Sequence, residues 1–321
     1  APPPPPAAVE AMRRAFAQIT SGEAVVPVRG SVESDEGTTL LMPAWLGGSR
    51  ELGAKVVSVF AENPGRDLPV VTGAVLLLDA DTGRPRALLD GTALTGIRTA
   101  AGSALAVELL ADPEADVLAV FGAGAQGEAH VRSLAGLRRL REVRLVSRSG
   151  RSAEVLASLL AEERVGVRDG EERPAIRAVR TASEALSGAG LVVTATDSLS
   201  PVFDDGDLAQ GAHVSAVGSY RPDMQEVPVE TVARARVVVD QREAAWEEAG
   251  DLIQAREAGR FGRGDVAAEL GEIVLGRAAR GRDGRPITLF KSVGNAAQDV
   301  AIAETALQEA EERGIGRIVP F

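Results

Sequence analysis

With 321 residues, the chain has room for about two domains at ~150 residues each. It is 45% apolar and 25% charged, with a formal charge of −11 and no cysteine, which suits a globular protein with a sizeable core. These figures argue against a grip on phosphate backbones, which needs a net basic surface, and exclude disulfide frameworks, thiolate zinc sites and cysteine nucleophiles.

The opening stretch Ala1–Ala7, with prolines at 2 to 6, predicts an extended polyproline start. Val9, Met12, Phe16 and Ile19 then recur at helical spacing and predict a short amphipathic helix. Five strands are expected next, over Ala24–Arg29, Thr38–Met42, Ala54–Ala61, Val70–Asp79 and Arg86–Asp90. Turns such as Asn63-Pro64-Gly65 separate them, and with no helix between them they imply an antiparallel sheet. Thr92–Leu110 reads as one long helix rich in Ala and Gly, capped by Thr92 or Thr95.

Beyond Asp112-Pro113 strands and helices alternate. Strands are predicted over Val117–Phe121, Val143–Ser147, Ile176–Val179, Leu191–Thr194, Ala212–Val217, Val237–Asp240 and Ile287–Lys291, with helices starting at Ala125 and Ser152. Near-continuous apolar strands of this kind are buried on both faces, as in a doubly wound parallel α/β sheet. The charged stretch Glu162–Pro174 is expected to be a solvated loop, and a closing helix from Asn295 to about Glu312 to pack back on the first domain. No apolar run approaches the ~20 residues of a membrane span, and no basic-then-apolar leader is visible. The expectation is a cytoplasmic protein that binds neither membrane nor nucleic acid.

The strand Val117–Phe121 runs into Gly122-Ala123-Gly124-Ala125-Gln126-Gly127, a G-x-G-x-x-G motif that opens a helix. Gly122 serves the tight turn, Gly124 lets a pyrophosphate approach the backbone, and Gly127 lets helix and strand pack closely. The helix start at Ala125 and Gln126 holds the phosphates. An NAD site usually places an acid at the end of the next strand, on the ribose diol. Here that position reads Ser147-Arg148-Ser149. An arginine between hydroxyls suits a 2′-phosphate, so NADPH is expected to be preferred, with NADH possible. The domain is therefore read as Rossmann-type.

Substrate chemistry must come from the other domain. Only Lys55 and Lys291 among the 35 basic residues are lysine, and an ammonium can trade a proton where guanidinium cannot. Lys55 interrupts the apolar run that includes Val56, Val57, Val59 and Phe60, and Arg98 sits among Thr99, Ala100, Ala101 and Gly102. Buried cations require an anion. If Arg29, Lys55 and Arg98 converge, they make a site for a small carboxylate; singly, each is as readily an ordinary ion pair. His130 and His213 are well separated, and no metal site is expected.

Several segments in order carry a family resemblance: Val28-Arg29, Met42-Pro43-Ala44, Gly53-Ala54-Lys55, Ile97 to Ala101, Gly122 to Gly127, Val217 to Asp223, and Phe290 to Gly294. Over nearly its whole length the chain resembles the ornithine cyclodeaminase/μ-crystallin family. The resemblance implies that Arg29, Lys55 and Arg98 bind the substrate carboxylate; with neighbouring Arg charges lowering its pKa, Lys55 is expected to give a proton, and Met42 to line the pocket. Tyr220 or Asp223 would orient a water. Thr194, Ala195, Thr196, Val217, Gly218, Ser219, Lys291, Ser292 and Gly294 would flank the ribose and nicotinamide. It further implies a homodimer joined through a smaller α+β antiparallel domain, residues 1–111 with 300–321 packing back, beside a dinucleotide-binding domain of residues 112–299. Cyclodeaminases and the alanine dehydrogenase branch of the family are expected to carry Asp where this chain has Tyr220, in a Gly-Asp-x-Pro-Gly-Lys pattern. The form Tyr220-Arg221-Pro222-Asp223 is similar instead to the branch that reduces cyclic ketimine acids. The expected reaction is NAD(P)H-dependent reduction of Δ1-pyrroline-2-carboxylate or its six-membered homologue. The alternatives are an amino-acid or N-alkyl amino-acid dehydrogenase, an ornithine cyclodeaminase, and a catalytically idle NADPH-binding protein.

Overall fold

The computed structural model describes residues 2–66, 68–167 and 172–319. Part of the expected loop Glu162–Pro174 thus lies outside the described residues. By its contacts the chain divides into two compact units, Ala1–Ala101 with Gly294–Phe321, and Gly102–Val293. The division falls inside the long helix and just after the last strand, where the sequence had suggested breaks at 111/112 and 299/300.

In the first unit, α1 (Pro5–Ser21) begins within the proline run rather than after it. Proline is tolerated there because the first turn of a helix has no use for its missing N–H. Val9, Met12 and Phe16 are buried on one face of α1, which packs on α10 (Ala296–Glu312). The sheet comprises β1 (Ala24–Val25), β2 (Gly30–Glu33), β3 (Thr38–Leu46), β4 (Glu51–Val59), β5 (Val71–Leu78) and β6 (Pro85–Asp90). The single strand expected over Ala24–Arg29 is two short ones, interrupted around Pro27, which cannot donate to a ladder. All pairings are antiparallel, in the order β1-β3-β4-β5-β6 with β2 on β3. The register aligns Met42, Lys55, Val75 and Leu89 across four strands. Met42, Lys55 and Val75 are buried, and α10 packs on the three strands that carry them.

The helix α2 (Gly91–Leu110) is capped by neither expected threonine. Asp90 Oδ1 accepts from the amides of Thr92 (2.8 Å) and Ala93 (3.2 Å), while Thr95 and Thr99 hydroxyls donate to carbonyls one turn back. Contrary to the expectation from the sequence, α2 has the length and apolar composition of a membrane span, but 72% of that window is buried, as in a core helix.

The second unit holds β7 (Val117–Phe121), α3 (Ala125–Leu137), β8 (Glu142–Val146), α4 (Arg151–Glu162), β9 (Ala175–Ala178), α5 (Ala182–Leu186), β10 (Leu191–Thr194) and β11 (His213–Ala216). It continues with α6 (Val229–Arg234), β12 (Arg236–Val239), α7 (Arg242–Glu248), α8 (Gly250–Glu257), β13 (Val266–Glu269), α9 (Leu270–Val274) and β14 (Thr288–Lys291). The eight strands are parallel throughout, in the order β13-β12-β14-β11-β10-β7-β8-β9. β7, β10, β11, β12 and β14 are buried along their full length, which explains their unbroken apolar character. β13 was not anticipated; Val266-Ala267-Ala268-Glu269 is too short and too weakly apolar to announce itself.

Candidate active site

Parallel strands end along one edge of their sheet, and a ligand crevice forms where the strand order reverses. Here the reversal lies between β7 and β10, because β8 and β9 build outward on one side of β7, and β10 and β11 on the other. Gly122 ends β7 with φ of 101°, and a side chain there would overlap the Ala195 carbonyl beyond β10. A side chain at Gly127 would overlap the carbonyl of Gly122. Gly124 instead faces open space, and α3 starts there with no side-chain cap. The first-turn amides of Ala125, Gln126 and Gly127 therefore lie at an uncapped helix end with a clear approach, which fits a pyrophosphate.

Ser147, Arg148 and Ser149 follow β8, beside the glycine turn, where Gly122 N donates to Val146 O at 2.9 Å. Ser147 is partly committed, since its Oγ accepts from the Ala153 amide at 3.2 Å. Arg148 is 84% exposed and 3.2 Å from the equally exposed carboxylate of Asp197.

Behind this edge lies a buried network that sequence reasoning missed. Glu226 accepts four hydrogen bonds: from Thr196 N (2.6 Å) and Oγ1 (2.8 Å) on one oxygen, and from Thr194 Oγ1 (2.9 Å) and Gly218 N (2.8 Å) on the other. It thereby ties the ends of β10 and β11 together. Burial pushes the Glu226 carboxyl up, while the Lys291 ammonium and the Thr196 donors pull it down. Asp251 Oδ1 accepts from the amides of Glu226 (2.7 Å) and Val227 (2.9 Å), and its Oδ2 lies 3.0 Å from Lys291 Nζ. Ser219 is drawn in as well, its Oγ donating to Met224 O and accepting from Asp251 N. Lys291 and Ser292 were expected to flank the ribose and nicotinamide. The Lys291 side chain is wholly buried against Asp251, and Ser292 Oγ donates inward to Asp240 Oδ2 at 2.8 Å, so both side chains brace the strand end.

In the first unit, Lys55 and Arg98 meet on one carboxylate, Asp299 of α10. Lys55 Nζ lies 2.7 Å from Asp299 Oδ2, and Arg98 Nε lies 3.3 Å from Oδ1. Arg98 Nη1 donates to Gln298 Oε1 at 3.2 Å. Gly294, with φ of 80°, lies so close under the Arg98 guanidinium that any side chain would overlap it. Lys55 and Asp299 are buried and Arg98 nearly so. Burial pushes the Lys55 ammonium below the usual lysine range; Asp299 opposes this, and Arg98 and Arg29 add to it. Arg29 is thus within electrostatic reach of Lys55, and Met42 is its cross-strand neighbour. Among the described residues, two buried cations share one carboxylate, which leaves one positive charge for an incoming acid.

The ornithine cyclodeaminase/mu-crystallin family pattern matches residues 6–314. The chain belongs to that family. It is 37% identical over 310 residues to a Delta(1)-pyrroline-2-carboxylate reductase of Bacillus cereus, covering 96% of this chain and 93% of the relative. Among solved structures it is similar to the Thermococcus litoralis Delta(1)-pyrroline-2-carboxylate reductase in complex with NADH and L-proline, with TM-score 0.90 and 34% identity over 97% of this chain and 95% of that one. An archaeal alanine dehydrogenase dimer with bound NAD matches with TM-score 0.88 and 30% identity over 99% and 95% of the two chains.

In this member of the ornithine cyclodeaminase/mu-crystallin family, Tyr220 and Asp223 stay outside the buried network. Tyr220 is 38% exposed. The Asp223 carboxylate is held at the surface by the Arg221 guanidinium through two contacts of 3.1 and 3.2 Å. Asp299 is the cation partner that the sequence reading overlooked. Its signal was present: one acid in the stretch Ala296-Ala297-Gln298-Asp299-Val300-Ala301, the counterpart of Lys55 in its valine run.

Proposed function

We propose that this chain is an NAD(P)H-dependent oxidoreductase that reduces the C=N bond of a cyclic ketimine carboxylate. The substrate is Δ1-pyrroline-2-carboxylate or Δ1-piperideine-2-carboxylate, and the product proline or pipecolate. The observation that carries this reading is the buried pair of Lys55 and Arg98 sharing Asp299, since the uncompensated charge asks for a small carboxylate. When bound, the dinucleotide supplies a hydride. Arg98 and Arg29 take the substrate carboxylate and orient the ring, replacing a random encounter with a fixed one. Met42 forms part of the apolar lining. Lys55 gives its proton to the ring nitrogen as the carbon is reduced, and Tyr220 or Asp223 orients a water for reprotonation. Gly122, Gly124, Ala125, Gln126 and Gly127 hold the pyrophosphate. The loops at Thr194–Thr196 and Val217–Ser219, fixed by Glu226, and the Gly294 turn support the ribose and nicotinamide.

Three finer points belong to the same reading. NADPH is preferred through Arg148, although Asp197 competes with a 2′-phosphate for that guanidinium. The protein is a homodimer joined by the first unit, supported by an apolar row on the sheet face opposite α10. Paired residues Leu41 and Val56, and Leu88 beyond them, are 47, 41 and 73% exposed there, and patches of this kind mark interfaces. A cytoplasmic location suits a reduced nicotinamide cofactor and a chain without cysteine.

A spectrophotometric panel tests the reading. Steady oxidation of reduced cofactor with cyclic ketimine acids, and none with pyruvate plus ammonia, is expected. Ammonia release from ornithine without net cofactor turnover, or turnover only with open-chain 2-oxo acids, would overturn it.

A further inference from the structure

Asp299 is the carboxylate at the centre of the first unit's buried cation pair. It is wholly buried on α10, yet its two oxygens face cations from two different elements, Lys55 of β4 at 2.7 Å and Arg98 of α2 at 3.3 Å. The ion pairs to Lys55 and Arg98 are the contacts its two oxygens make among the described residues. The other charged groups that act on Lys55 are Arg98 and Arg29, both positive, and its cross-strand neighbours Met42 and Val75 are apolar. Among the described residues Asp299 is therefore the anion paired with Lys55, and it favours the charged ammonium against an apolar and cationic setting.

We infer that Asp299 is a positioning residue for the reaction: it holds Lys55 aligned and protonated as the proton donor, and it sets the residual charge of the Lys55–Arg98 pair to that of one substrate carboxylate. The inference rests on the proposed reductase reading. In the step itself the C=N carbon receives the hydride and its two electrons, and the ring nitrogen receives the proton from Lys55 Nζ. Lys55 is left as a neutral amine that solvent reprotonates.

The chain's two lysines make the test direct. Labelling with [ε-13C]lysine gives two resonances, which Lys55→Arg assigns. In Asp299→Asn, the Lys55 titration midpoint is expected to fall by about one pH unit or more, the usual effect of removing an opposite charge at this range. The alkaline limb of the turnover–pH profile should move down by the same interval. At a pH above the wild-type midpoint of that limb turnover should fall about tenfold or more, with NADH affinity near wild type, while the unpaired buried cations lower the melting temperature. Binding of cyclopentanecarboxylate, which keeps ring and acid but lacks the nitrogen, should tighten below the variant's own Lys55 midpoint, where the pair carries an extra positive charge. Asp299→Glu, which keeps the charge, should restore the Lys55 midpoint and part of the turnover; it also decides the matter if the Asn variant folds poorly. An unchanged Lys55 midpoint in Asp299→Asn, or a midpoint that falls in Asp299→Glu as far as in Asp299→Asn, would overturn the inference. If the wild type fails to reduce cyclic ketimines, the reductase reading fails, while the lysine titration still decides what Asp299 does.

Discussion

Glu51 offers a stability test whose size follows from its surroundings. It opens β4, is 5% exposed, and lies under α1 and α10. Burial pushes its carboxyl up from 4.5 to about 7; Glu304 on α10 adds to this, and Arg14 on α1, 3.7 Å away, opposes it. A carboxyl whose folded pKa is raised binds its proton more tightly in the native state. Its contribution to stability is fully present below about pH 4.5 and is lost as pH rises through about 7. The interval between 4.5 and about 7, at about 1.4 kcal/mol per pH unit, amounts to about 3 kcal/mol lost by pH 8. Glu51→Gln keeps the shape and removes the ionisation. It is expected to be more stable than wild type at pH 8 by up to about 3 kcal/mol, and to show no such gain at pH 4.5. The partner lost by Arg14 matters little, because that side chain is 38% exposed. The measurement is urea unfolding followed by Trp45, which lies in β3 of the same unit, in a Trp246→Phe background. A gain of equal size at both pH values, or a loss at pH 8, would refute the argument.

Three further outcomes are expected. Lys55→Arg keeps the charge but not the proton donor, so turnover should fall by roughly 100-fold or more; near-normal turnover would remove that role. Arg148→Ala should weaken NADPH far more than NADH, while Asp197→Asn should improve NADPH a few-fold by releasing Arg148, and fluorescence titration with both cofactors checks the pair. Glu226→Gln replaces one acceptor oxygen by a donor where Thr194, Thr196 and Gly218 supply four donors. The mismatch should cost about 1–3 kcal/mol and weaken dinucleotide binding, and an unchanged dissociation constant and melting temperature would count against Glu226 as the tie between the two strand ends.

How far the site was legible depends on whether a residue breaks a local rule. The turn Gly122 to Gly127 announces itself because backbone clearance admits only glycine at Gly122 and Gly127, and the strand before it and the helix after it are strongly patterned. Lys55 stands out for a similar reason, as an ammonium in a run of valines has no local excuse. Asp299 breaks the same rule but is masked by its helix. α10 is buried nearly all round from Ala296 to Ala306, so helical periodicity separates no wet face from a dry one, and an acid in a helix looks like a solvent contact until its neighbours are known. Glu226 and Asp251 are harder still. Glu226 lies beside an irregular strand end and Asp251 in the first turn of α8, where acids are ordinary, and only the parallel sheet brings β10, β11 and β14 side by side. Tyr220 and Asp223 are the opposite case: a sequence difference between family branches singles them out, and they lie at the surface, with Asp223 paired locally to Arg221. A buried charge needs its partner from elsewhere in the chain, so its partner is where the sequence is least informative. That is why one member of each ion pair, Lys55 or Lys291, could be singled out from composition, while the carboxylate opposite it emerged only from the fold.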